Sequence, residues 1–242
     1  MKIACGSLEF AWARLRARHG QRPDDAAWHG IEHARAFAPA LERARATALR
    51  PWLVGITGQS TPAQLEATLR GHWRAYVAEL ERWLPEPWQA AVAWCALWPE
   101  LPALQHVARG GAAPAWLDDA SGRDALLRQA RAGTEPQDAD ALGAAWVAQW
   151  RERLPAHALA RHGLLAQLLL TLQAHGAMFA AAPASQAWPQ RAELRLRLVR
   201  LYRMATLDAA AIFIHLALSA LDVERLRAEL LRRAWFPSLH LA

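Results

Sequence analysis

The chain has 242 residues, is 54% hydrophobic and carries a formal net charge of +6 at pH 7. This composition excludes an intrinsically disordered chain and suffices for a hydrophobic core. Lys2 is the only lysine, so arginine carries nearly all the positive charge. The two cysteines, Cys5 and Cys95, form no CxxC motif or disulfide framework, which favours a reducing compartment. We expect one all-helical domain over residues 1–242, with a candidate internal boundary within 110–139.

Helical periodicity dominates the chain, and no segment has the alternation of a strand. Predicted helices cover 8–20, 24–37, 39–50, 62–83, 85–98, 99–109, 121–127, 138–150, 155–182, 190–204, 207–219 and 221–235. Three have clear start signals: Ser7, the Asp24–Asp25 pair, and Thr61 with Gln64, which fit a capping box around Pro62. Residues 133–137 are the best candidate linker. Several helices begin at an apolar residue followed by proline, which hints at repeated helical hairpins. The pattern therefore predicts an all-α array of packed helical hairpins, with a repeat-built funnel as one form of it.

Two apolar segments, 162–190 and 209–221, are candidates for membrane spans. The first contains no Asp, Glu, Lys or Arg, but glutamines, a histidine and a glycine interrupt it. The second is too short to span a bilayer. We therefore predict that both are buried core helices. Residues 1–9 lack the apolar run of a secretory signal, so we expect a cytoplasmic protein.

The sharpest motif is His29-Gly30-Ile31-Glu32-His33, which spells the inverted zinc-protease pattern H-x-x-E-H. At helical spacing His29 and His33 share a face, as zinc ligands require, and Glu32 could act as the base. Gly30 weakens the helix here, and the third ligand is unassigned, with Glu100 as a candidate. A zinc-dependent hydrolase is therefore an alternative function, while the main interpretation assigns the chain no metal, cofactor or catalytic residue.

The thirteen tryptophans could stack on bases, sugars or a haem-like ring, but most fall on apolar helical stripes, which favours the core. Trp235 and Phe236, beyond the last stripe, are the exception. The arginines are spread along the chain, which makes a basic nucleic-acid-binding module the weakest alternative. The final segment, 221–233, is amphipathic, with its leucines on one face and its charged residues, including Asp222 and Arg233, on a predicted outer face.

Three stretches together resemble the C-subunit family (also called the d-subunit family) of V-type and A-type rotary ATPases. Residues 7–18 are similar to the family's opening aromatic-x-x-A-R-x-R helix, with Phe10 or Trp12 in the aromatic place. Residues 49–109 are similar to its loop, helix with an early Glu (here Glu66) and helical pair. Residues 212–232 contain Asp222-Val-Glu-Arg-Leu-Arg227, which is similar to the closing pattern. Residues 112–139 have no counterpart, and the chain is shorter than typical members.

This resemblance implies a divergent, short bacterial form of a non-catalytic adaptor. Family members are all-helical and funnel-shaped, and they couple the membrane ring of an ion- or proton-transporting ATPase to its central shaft. The implied partners are therefore proteins of the ring and shaft, at the cytoplasmic face of the inner membrane, with peripheral lipid contact. We expect Arg14, Arg16, Glu224 and Arg227 to contact these partners, or else to form ordinary surface ion pairs.

Overall fold

The computed structural model describes residues 6–108, 110–114, 139–159 and 163–236. These residues form helices and connecting turns without a strand, which confirms the all-α prediction. The α-helices are α1 (Leu8–Gly20), α2 (Asp25–Glu32), α3 (Phe37–Arg45), α4 (Pro62–Glu81), α5 (Glu86–Trp94), α6 (Leu101–Ala108), α7 (Ala139–Glu152), α8 (Leu164–Ala181), α9 (Ala187–Met204) and α10 (Ala210–Trp235). Short 3-10 helices cover Arg50–Leu53, Cys95–Glu100 and Ala184–Gln186. Consecutive helices pack as neighbours in α4–α5 and α8–α9, consistent with an array of packed hairpins.

Local capping explains why three of these helices begin where they were predicted. The Ser7 hydroxyl accepts a hydrogen bond from the backbone N–H of Phe10 at 3.1 Å. Asp24 accepts one from the Ala27 N–H at 2.8 Å. The Thr61 and Gln64 side chains each accept from the other residue's backbone N–H, completing the capping box. These bonds satisfy N–H groups that have no partner inside the helix.

Other predicted helix boundaries were wrong. The second helix ends at Glu32 and does not continue towards residue 37. There the Arg233 guanidinium binds the carbonyls of Glu32 and Ala34 at 2.8 and 2.7 Å, so a distant side chain satisfies the helix end. The helix predicted from Pro155 begins at Leu164 instead, after a turn. The helices predicted over 207–219 and 221–235 are one helix, α10, because no glycine or proline interrupts its sequence.

Helix α10 lies at the centre of the molecule and packs against α1, α3, α4, α8 and α9. Its first part, Ala210–Ser219, is buried on every side, which confirms the core prediction for residues 209–219. This part belongs to a large hydrophobic cluster with α1, α4, α5, α7, α8 and α9. Further along, Leu226, Leu230 and Leu231 join a second cluster with α2, α3 and the start of α4. One helix therefore connects both cores.

The core prediction for residues 162–190 was wrong for one side of α8. Leu165, Leu168 and Leu169 are buried, but Leu170 is 66% exposed and Met178 is 46% exposed. None of the helices in the described residues combines the length and the apolar character that a transmembrane span requires. The peripheral membrane contact therefore stays a prediction.

The tryptophans lie mainly in the core, as predicted. Of the twelve within the described residues, six are buried, namely Trp28, Trp73, Trp83, Trp94, Trp146 and Trp150. Four more are partly buried and pack against the larger hydrophobic cluster, namely Trp12, Trp52, Trp88 and Trp98. Trp235 and Phe236, the exception to the core prediction, are exposed. The predicted helix 121–127, the candidate linker 133–137 and most of the candidate boundary lie outside the described residues, so the domain assignment stays a prediction.

Candidate functional site

The H-x-x-E-H motif does not assemble a metal site in the part of the chain that the structure describes. The Nδ1 atoms of His29 and His33 lie 2.7 and 2.8 Å from the backbone carbonyls of Asp25 and His29, to which they can donate. The Glu32 carboxylate instead accepts from Nε of Arg225 at 2.9 Å. Among the described residues no group of three or more His, Cys, Asp or Glu side chains could hold a metal ion. The candidate third ligand, Glu100, is buried and pairs with Arg74.

The four predicted partner-contact residues divide into two kinds. Arg14 and Arg16 are exposed on α1, where they stack over Trp83 at 5.0 Å and Trp12 at 5.7 Å. On α10, by contrast, Glu224 and Arg227 form ion pairs with residues of other helices of the same chain.

Those two ion pairs join α10 to neighbouring helices. Glu224 accepts from Nε of Arg191 at 2.7 Å, and Arg227 pairs with Glu66, which is 6% exposed. Asp222 and Arg233, predicted on the outer face of the same helix, are buried at 4% and 1% exposure. The prediction of an outer charged face was therefore wrong for Asp222 and Arg233.

An uncharged, exposed stripe runs along α8. Leu170, Ala174, Ala177, Met178 and Ala181 recur at helical spacing on the side opposite the buried leucines, and all five are exposed. The α8–α9 hairpin also exposes Trp188, Leu196 and Met204. Five of the nine large hydrophobic side chains that are exposed in the described residues thus belong to this one hairpin. We call the α8 stripe the hairpin face.

A cavity of about 400 Å³ lies between α1, α4 and α10. Apolar groups, including Leu49 and Trp52, form one part of its wall. Polar groups, including Tyr76, His215 and Ser219, form another part. The cavity therefore combines an apolar wall with a polar one, as sites for small organic molecules do.

Hydrogen bonds and ion pairs organise the polar wall. The hydroxyl of Tyr76 lies 2.6 Å from Nε2 of His215, and the Ser219 hydroxyl lies 3.5 Å from the same nitrogen. Arg22 donates from Nε to Asp222 at 2.7 Å and from Nη2 to the Leu218 carbonyl at 3.2 Å. These bonds hold the polar side chains in place.

Positive charge and burial keep the histidines of this region neutral. Burial lowers the pKa of His215 to about 3, and the nearby Arg22 charge acts in the same direction. Burial also lowers the pKa of His19 to about 4, with further contributions from Arg22 and Arg195. Each imidazole can therefore donate from one ring nitrogen and accept at the other at neutral pH.

Three buried polar atoms near His215 have no hydrogen-bond partner within the described part of the chain. They are Nδ1 of His19, Nδ1 of His215 and the hydroxyl of Tyr202. The rings of His19 and Tyr202 stack at 3.8 Å, and both lie within 6.3 Å of the His215 ring. Of these three residues, His215 lines the cavity, and the other two lie outside its lining.

No known protein family, curated protein or solved structure matches this chain. The functional interpretation therefore depends on the residues and geometry of the chain itself.

Neither the hairpin face nor the cavity was found from the sequence. A signal for each was present: α8 carries no charge on any side, and His215 interrupts an otherwise apolar run. Both signals also fit an ordinary buried helix, so only the packing of neighbouring helices distinguishes these sites.

Proposed function

We propose that this chain is a non-catalytic helical adaptor within a larger complex, similar in role to the central-stalk adaptor of V-type and A-type rotary ATPases. In that role it would join a membrane ring to a central shaft. The observation that carries the adaptor proposal is the hairpin face. The assignment to a rotary ATPase depends, in addition, on the sequence resemblance to the C-subunit family.

The hairpin face has the character of a surface that another helix covers. The stripe itself has no polar side chain, and exposing large apolar side chains such as Leu170 and Met178 to water is unfavourable. From Leu170 to Ala181 the stripe extends about 17 Å, or three helical turns. Ala174 and Ala177 leave a shallow path between Leu170 and Met178, into which the side chains of a second helix fit.

Charges on the hairpin indicate the chemistry of this partner. Arg200 and Arg203 are exposed on α9, and no carboxylate of the described residues forms an ion pair with either. Because unpaired guanidinium groups attract carboxylates, we expect the partner helix to have an apolar face with acidic flanks. The occupant that we propose is therefore a helix of another protein in the complex.

Affinity capture from the native host tests the proposal. The bait is the full chain with an affinity tag, compared with the double variant Leu170→Glu/Met178→Glu. Both positions are exposed, so the substitutions should leave the fold intact while burying two carboxylates in the proposed interface. We expect the wild-type chain to capture ring or shaft proteins of a rotary ATPase, and the double variant to lose most of them. Val54→Glu, at a 62% exposed position remote in sequence from the hairpin, is the matched control and should capture as the wild type does.

Other results would overturn the proposal. Capture of partners that include no ATPase protein would rule out the ATPase role. Equal capture by the wild type and the double variant would rule out the hairpin face as the interface. A dimer of this chain that Leu170→Glu/Met178→Glu dissociates would assign the face to a second copy. Flotation of the purified chain with anionic vesicles that the same variant abolishes would assign it to a lipid surface. One zinc per chain, lost in His29→Ala, would favour the hydrolase.

A further inference from the structure

We infer that the cavity between α1, α4 and α10 binds a small organic anion, with its phosphate or carboxylate group at Arg22 and its apolar body against Trp52. This site is separate from the hairpin face and does not depend on the adaptor role.

The balance of charge around the cavity favours an anion. Two carboxylates line it, Glu79 and Asp222, and each faces two guanidinium groups. Oε1 of Glu79 lies 2.6 Å from Nη2 of Arg18 and 4.0 Å from Nη2 of Arg14. Asp222 pairs with both Arg22 and Arg195. Arg18 and Arg22 line the cavity and balance these two carboxylates, while Arg14 and Arg195 lie outside its lining. The two outer guanidinium groups leave the region positive, which favours an anionic ligand and disfavours a metal cation.

Hydrogen-bond donors in the polar wall remain available to a ligand. Arg22 uses Nε and Nη2 within the protein, while Nη1 has no partner among the described residues. Ser219 and His215 add little to these donors, because the Ser219 hydroxyl interacts with Tyr76 as well as with His215, and His215 is only 1% exposed. A guanidinium group with a free nitrogen is a donor that phosphates and carboxylates select.

The apolar wall excludes a bare inorganic ion as the best ligand. The rings of Trp52 and Tyr76 lie 4.9 Å apart, and Trp52 faces the cavity beside Leu49 and Pro51. A volume of about 400 Å³ is far larger than phosphate requires and lies in the range of small-molecule sites. An anion with an aromatic or aliphatic body would bury apolar surface as well as satisfy the donors.

The test is isothermal titration calorimetry on the full chain with four probes: phenyl phosphate, benzoate, phenol and inorganic phosphate. We expect phenyl phosphate or benzoate to bind at least about tenfold more tightly than phenol, which lacks the charge, and than inorganic phosphate, which lacks the apolar body. Preference for phenyl phosphate would assign a phosphate ligand, and preference for benzoate a carboxylate.

Two variants locate the binding without removing an ion pair. Ala75→Phe places a phenyl ring in the cavity from an exposed position on α4 and should weaken binding at least about tenfold. Ala67→Phe, also exposed on α4 but two turns away and outside the cavity, should bind as the wild type does. The inference is wrong if no probe binds, if phenol binds as tightly as the anions, or if Ala75→Phe and Ala67→Phe bind alike. Ala75→Phe should leave capture through the hairpin face unchanged, so the two proposals can fail separately.

Discussion

At the scale of single residues, apolar surroundings decide the protonation state of His215. His215 lies in an otherwise apolar run of α10 and is fully buried, so its charged form is disfavoured. The hydroxyl of Tyr76 satisfies its Nε2, but Nδ1 stays unpaired. The sequence shows that this histidine interrupts an apolar stripe, but its partners come from helices distant in the chain.

The neutral state of His215 makes stability depend on pH. In the unfolded chain a histidine has a pKa near 6.5, whereas in the folded protein the pKa of His215 falls to about 3. Between these values the unfolded chain binds a proton that the folded protein does not, so lowering the pH through this window destabilises the fold. Above pH 6.5 the histidine is neutral in both states, so its protonation no longer destabilises the fold. Urea titrations at pH 7 and pH 5 test this dependence. Between these two pH values, the free energy of unfolding of His215→Gln should fall by about 2 kcal/mol less than that of the wild type.

An exposed apolar position on α9 supplies the control for this experiment. Leu196→Gln, at a 55% exposed position, removes no titratable group, so its free energy of unfolding should fall as much as that of the wild type over the same pH interval. If His215→Gln and the wild type lose stability equally, His215 does not resist protonation in the folded protein.

At the scale of elements, charged side chains on α10 hold it against its neighbours. Asp222 meets Arg22 after α1 and Arg195 on α9, while Arg225 meets Glu32 on α2. Arg233 ends α2 by binding its last carbonyls. The amphipathic pattern of residues 221–233 was sufficient to predict this helix. It could not show which charges are buried. That depends on α9 and on the end of α2, which cover Asp222 and Arg233 on the side that the pattern assigns to solvent.

Two neighbouring acids on α10 should therefore differ in their effect on stability. The Asp222 side chain is 5% exposed and accompanies two guanidinium groups, so Asp222→Asn leaves buried cations without their counter-charge. We expect it to lower the free energy of unfolding by about 3–5 kcal/mol in urea titration. Glu224→Gln removes an ion pair whose carboxylate is 38% exposed and should cost about 1 kcal/mol or less. Equal losses for the two variants would show that burial of the Asp222 pairs does not govern their contribution.

At the scale of the whole molecule, α10 connects two hydrophobic clusters. Residues around Phe213 belong to the larger cluster, and those around Leu226 belong to the smaller one. A continuous helix transmits the loss of packing in one cluster to the other, so we expect the two cores to unfold together. The hairpin face lies on α8, which packs against the first half of this helix.

Truncating a leucine in the smaller cluster tests this coupling. Leu226 is fully buried, so Leu226→Ala should lower the free energy of unfolding by about 2–5 kcal/mol. Circular dichroism and tryptophan fluorescence in urea should still show one coincident transition, shifted to lower urea. Leu207→Ala, at a 53% exposed position, should shift the transition little. Two separate transitions in Leu226→Ala would show that the clusters unfold independently.

Local chemistry in the sequence determined the fold class of this protein and the start of some of its helices. The all-helical class and the start of α4 follow from apolar periodicity and from the side chains of Thr61 and Gln64, which act within one turn. Tertiary structure alone decided the burial of Asp222 and Arg233, the exposure of the hairpin face, and the cavity. Each of these depends on which helix covers which face, and the periodicity of one helix shows that a face is apolar or charged but not what covers it.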